Sequence, residues 1–125
     1  MSVTRQFPYE TNLDVKFGPR EIIDLPSEVA QVKHSWFNQT LCRVNDSVVR
    51  YAVVAGHYHW HKHDTEDEFF FVLSGKFIIE MRDRTVELGP EQGYVVPKGV
   101  EHRPSAPERT VLLMVEPATI VPTGS

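Results

Sequence analysis

Residues 57–70 read HYHWHKHDTEDEFF and gather four of the chain's six histidines beside four acidic residues. Imidazoles and carboxylates are the side chains that hold transition metals and move protons near neutral pH. Two readings stand open at this point: a solvated, charged surface hairpin, or a metal site. On a strand, residues two apart face the same way, so His61 and His63 project together about 7 Å apart. That separation suits two ligands converging on one ion, and it also occurs on exposed edge strands. Asp64–Asp67 reads as a turn and Glu68 as the start of the returning strand. A hairpin here brings that carboxylate back beside the two imidazoles. A further ligand must come from elsewhere, and His34 and His102 are the candidates. His102 follows Pro97 and Gly99, which set a turn just before it.

The elements around these residues are almost all strands. REIIDL (20–25) is a short β-rich run closed by Pro26, and residues 27–37 hold the one candidate helix or irregular turn. Asn45-Asp46 suits a tight hairpin turn between two apolar runs. Ser74-Gly75 separates two more, Asp83 marks another turn, and residues 108–117 form a last strong strand. The tail after Pro117 is expected to pack in part and to fray at its end. Eight to ten short strands with regular turns indicate an all-β sandwich or barrel. In Glu68–Leu73, Phe70 and Val72 share a face with Glu68, while Phe69, Phe71 and Leu73 take the other. Both faces are apolar, so this strand is expected to be covered on both sides. A carboxylate at the end of such a strand needs a compensating charge.

With 125 residues and no internal repeat or linker, one domain over 1–125 is expected. The net charge of −4 with no Lys/Arg cluster argues against nucleic acid and anionic membrane as partners. The single cysteine, Cys42, cannot form an internal disulfide and is read as a small buried apolar residue. Residues 1–14 carry no apolar leader, and no apolar run approaches the ~18 residues of a membrane span, so the cytoplasm is expected.

Both histidine-bearing stretches resemble the two conserved motifs of the cupin superfamily, small single-domain bacterial cupins in particular. The first pattern is matched by Gly56, His61-Lys62-His63, four residues, Glu68, six residues and Gly75. The second is matched by Pro97-Lys98-Gly99-Val100-Glu101-His102. The likeness spans about residues 50–116. Gly56 stands one residue closer to His61 than the pattern has it, no Gly stands five residues before Pro97, and Ala106 takes the place of an Asn. The resemblance implies a jelly-roll β-barrel of antiparallel strands. It also implies one divalent transition metal inside the barrel, held by His61, His63, Glu68 and His102.

Three imidazoles and one carboxylate suit Fe, Mn, Ni, Cu or Zn and leave coordination positions for water or substrate. Bound imidazole must be neutral, so affinity is expected to fall as pH drops through ~6.5. His57 and His59 are read as a solvated edge, Trp60 as packing, and Tyr94 and Arg103 as secondary candidates for the cavity wall. Two functions compete. One is a metal-dependent enzyme on a small organic molecule, an oxidoreductase of dioxygenase type or an isomerase or lyase. The other is a non-catalytic module that binds or senses a small molecule. The two-faced strand and the family habit lead us to expect a homodimer.

Overall fold

The structure is a computed structural model that describes residues 8–125. Residues 1–7, part of the stretch read above for a leader, lie outside the described residues. The fold is an all-β jelly-roll barrel of eight strands: β1 (Glu10–Asn12), β2 (Trp36–Val44), β3 (Ser47–His57), β4 (Glu68–Ser74), β5 (Phe77–Met81), β6 (Thr85–Leu88), β7 (Gly93–Val96) and β8 (His102–Pro117). One short helix, α1 (Leu25–Ala30), precedes β2. No helix among the described residues is long and apolar enough to cross a membrane.

The local reasons are visible in the sequence. Asn45 adopts φ +51 in the turn of the β2–β3 hairpin, a conformation that Asn tolerates better than most residues. β5 and β6 pair across the turn at 82–84, as the Asp83 signal indicates. The expected strand at 20–25 is not formed. Residues 20–24 have no ladder partner, and Leu25 opens α1 with Pro26 in its first turn, where a missing N–H costs nothing. Six residues are too few for a stable isolated helix. α1 is held by packing: Leu25 and Val29 sit with Phe17, Ile23 and Val32 against Leu41, Tyr51 and Val53, forming a second small core outside the barrel. β3 is therefore buried on both faces.

β8 organises the barrel. It pairs with β3 along most of its length, with β5 through His102–Ser105, and with β4 through Val111–Val115. Sheet order runs β1-β2-β3-β8-β4-β7, so β3 and β4 are not neighbours. The expected hairpin between the histidines and Glu68 is thus replaced by a crossing, in which residues 58–67 carry the chain from one side of β8 to the other. The interior core is built from inward-facing alternate residues, including Val54, Phe70, Val72, Phe77, Ile79 and Leu112. Glu68, Phe70 and Val72 do share this face. The opposite residues Phe69, Phe71 and Leu73 are only half-buried, so the expected cover on that side is not supplied by a second sheet.

Candidate metal centre

Regular strand structure ends at His57, so the four histidines do not line one strand face. His61 is instead pinned by a single bridge to the first residue of β8. Its N–H donates to the His102 carbonyl at 3.0 Å, and the His102 N–H donates back to the His61 carbonyl at 2.9 Å. His63 is fixed by the other motif: the Gly99 N–H donates to its carbonyl at 2.7 Å. Gly99 has φ +78, the left-handed conformation that a Gly in this turn adopts without a Cβ clash. The Lys98 N–H donates to Asp67 Oδ1 at 2.9 Å, tying the same turn to the acidic loop.

These constraints bring His61, His63, Glu68 and His102 together. One ligand atom from each lies within 4.8 Å of every other. Glu68 Oε1 is 3.5 Å from His63 Nε2 and 3.4 Å from His102 Nε2. Such gaps are long for a strong hydrogen bond, yet two ligands ~2.1 Å from one ion stand about 3–4 Å apart. The Nδ1 atoms of His61 and His102 lie 3.0 Å from the carbonyls of His59 and Val100. Donation there fixes both tautomers with a bare Nε2 facing the cluster. His63 is buried with both ring nitrogens unpaired among the described residues, as are His102 Nε2 and Glu68 Oε1. Buried polar atoms are rarely left without a partner. A set of convergent, unpaired nitrogen and oxygen donors is what a transition metal satisfies, so the residues present fit the group.

The electrostatics agree. Burial, reinforced by His102, pushes the His61 imidazole down to about 3, so the ring stays neutral through the physiological range. Burial opposes ionisation of Glu68, but the facing His102 and His63 rings and the Glu116 carboxyl outweigh it and hold the carboxyl below its usual range. Glu116 goes the other way: burial and the facing Glu68 raise it well above the ordinary value. The two carboxyls hold one proton between them more readily than none.

The cluster opens onto a cavity of about 40 Å³ inside the barrel, lined by Trp36, Val54, Tyr58, Phe70, Phe77 and Leu112 among others. Three polar residues, Asn38, Arg50 and Glu116, also line it, and none was read as a site residue from sequence. A signal was present: Arg50 stands in the inward register of β3 between Val48 and Ala52. The tail, expected to pack in part and to fray at its end, crosses the histidine loop. Tyr58 Oη donates to the Pro122 carbonyl at 3.2 Å, and the Ser125 N–H donates to the Lys62 carbonyl at 2.9 Å. His59 is not a solvated edge; its Nε2 lies 2.8 Å from the Thr123 carbonyl and its ring stacks on Tyr58. Trp60 packs as expected, with the Arg82 guanidinium 3.9 Å above its ring. Tyr94 and Arg103 do not line the cavity: Tyr94 packs beside Met81, and Arg103 pairs with Glu80 at 3.0 Å. His34 lies away from the cluster, against Phe37.

Comparison with known proteins places this barrel and its two motifs. The Cupin_2 family, the cupin domain, matches residues 47–116. The chain belongs to this family. Among its relatives, the uncharacterized protein YdbB of Bacillus subtilis strain 168 is 41% identical over 87 residues, covering 69% of this chain and 77% of that protein. A cupin-2 domain protein from Shewanella frigidimarina is 32% identical, with a TM-score of 0.73 over 77% of this chain and 94% of that one. A Neisseria meningitidis protein of known structure is 26% identical, with a TM-score of 0.70 over 78% of this chain and 99% of that one.

Proposed function

We propose that this cupin holds one divalent transition metal through His61, His63, Glu68 and His102, and that it is a metal-dependent enzyme acting on a small organic molecule. The observation that carries the reading is the convergence of three imidazoles and one carboxylate, with the facing atoms of His63, Glu68 and His102 buried and unpaired among the described residues. A metal bound there supplies Lewis acidity or dioxygen activation, the chemistry of dioxygenase-, isomerase- or lyase-type reactions. The chain's own residues do the rest. The carbonyls of His59 and Val100 orient two imidazoles. Phe70, Phe77 and Leu112 exclude water from the cavity wall. Excluding water strengthens the electrostatic contacts made by Glu68 and the imidazoles.

The metal reading is tested by elemental analysis of freshly purified protein. About one Fe, Mn, Ni, Cu or Zn per chain is expected, and a chain that takes up none of these on reconstitution overturns it. Turnover of a small organic substrate separates the enzyme from a module that only binds or senses a ligand.

We also propose a homodimer formed through the outer face of β4, β7 and β8. Phe69 lies between Val95 and Val115 in register, and Phe71 beside Leu113. Val95 and Val115 are 50% and 38% exposed, which leaves a contiguous apolar surface for a second copy to cover. The lone cysteine fits a reducing compartment, and we place the protein in the cytoplasm on that ground.

A further inference from the structure

The cavity beside the histidine cluster contains a feature that metal binding does not use. Arg50 is 1% exposed and points into the barrel from β3. Its Nη1 donates to Thr40 Oγ1 at 2.8 Å. Its Nε stands 3.2 Å from Glu116 Oε1, but no aligned hydrogen bond joins them, and both Nε and Nη2 are unpaired among the described residues. A buried guanidinium whose Nη2 has no acceptor and whose Nε has only the poorly aligned Glu116 is costly unless something more accepts from it. Guanidinium offers its N–H groups as a planar fork, and the partner that matches a fork is a carboxylate.

Charge leads to the same ligand. With a divalent ion on the cluster, the fixed charges around the cavity are the ion, Arg50, Glu68 and Glu116. Their sum is positive whether Glu116 is ionised or protonated, so the water-poor cavity favours an anion. Size limits which one. About 40 Å³ corresponds to roughly three water positions, which admits an acid of two or three carbons and little more.

We infer that Arg50 is the anchor for the carboxylate of a small organic acid, whose other end faces the His61–Glu68 side of the same cavity. This rests on the metal reading for the second end of the ligand and for the positive sum of charge; the Arg50 contact is a property of the protein itself. Arg50 is a binding residue here, and Glu116 positions its guanidinium.

The test compares glycolate with glycolamide, its uncharged isostere, by calorimetry on metal-loaded protein whose metal content is measured in the same sample. Glycolate is expected to bind about ten- to a hundredfold more tightly, as for a charge-assisted hydrogen bond inside a cavity. A double variant, R50M with E116Q, removes the anchor and its counter-charge together. It removes one positive charge where Glu116 is protonated and none where it is ionised, and it strands no buried ion. It is expected to keep its metal and lose the preference for glycolate. Equal binding of the two probes by the wild-type chain, or no glycolate binding at millimolar concentration, overturns the inference. So does a double variant that retains both metal and preference. Phosphate binding as tightly as glycolate also overturns it, since the site is then a general anion pocket. If the chain takes up no metal, the metal reading fails separately. The same glycolate–glycolamide comparison on metal-free protein then decides the Arg50 contact, with equality counting against it.

Discussion

His61 and His102 hold each other through their backbones: each donates its N–H to the other's carbonyl, at 3.0 and 2.9 Å, and their ring centroids lie 4.3 Å apart. One residue belongs to the first histidine motif and the other to the second. The two motifs are therefore one structural unit, and disturbing either end displaces a ligand from both.

That coupling predicts the behaviour of ligand variants. His61→Ala, His63→Ala and His102→Ala should each abolish tight metal binding, exceeding the ~10–100-fold loss typical when only an outer hydrogen-bond partner is removed. Metal content per chain after dialysis reads the effect. Unchanged content in all three variants would falsify the ligand assignment.

The pH dependence of stability has a worked sign. His61 protonates at 6.5 when unfolded and at about 3 when folded, so the unfolded chain holds more protons between those values. Its contribution to stability is therefore lost as pH falls through that window. Glu68, held below 4.5, acts in the same direction at lower pH. Glu116, raised above 4.5, acts oppositely: the folded chain holds its proton first, which favours folding as pH falls toward 4.5. In metal-free protein the His61 loss above pH 4.5 should thus be partly offset by Glu116. Below 4.5 stability should fall more steeply, by up to about 1.4 kcal/mol per pH unit for each of His61 and Glu68. Thermal unfolding across this range checks the shape. Glu116→Gln should remove that offset, and an unchanged pH profile in that variant contradicts the assignment.

Metal uptake shifts with the same burial. A free imidazole competes with protons near pH 6.5, but at His61 that competition is deferred to about 3.

Gly75 supplies a stability test away from the metal. It has φ +93, and a Cβ there would collide with Thr110 Oγ1 and meet the Arg109 carbonyl at 2.8 Å. Thr110 Oγ1 also accepts the Lys76 N–H at 3.0 Å, so it is not free to retreat. Gly75→Ala should cost about 1–3 kcal/mol in urea unfolding, from the strained φ alone, with more from the clash. Metal content should not change. A variant as stable as wild type would show that the turn relaxes more than the contacts suggest.

The proposed dimer predicts that Phe71→Glu or Val115→Glu yields a folded monomer, because either buries a carboxylate against an apolar partner surface. Light scattering on the eluting peak measures the mass directly. A wild-type chain that elutes as a monomer at micromolar concentration removes the dimer.

Much of this protein is written locally. Alternation in Glu68–Val72 sets which residues enter the barrel, because strand side chains must point to opposite faces. The motif Pro97–His102 sets a tight turn, because Pro and Gly restrict or free the backbone at fixed positions. The resemblance of the two motifs to the cupin pattern likewise implied His61, His63, Glu68 and His102, which the fold brings together. Tertiary structure decided the rest. Whether β3 and β4 are neighbours depends on where β8 inserts, and no residue between 58 and 67 encodes that. REIIDL has strand propensity, but the apolar surface of β3 accepts Leu25 and Val29 from a helix instead. Arg50 and Glu116 lie sixty-six residues apart and acquire meaning only because both face the same dry cavity. Local pattern determines which way a side chain points; the closure of the barrel determines what it meets there.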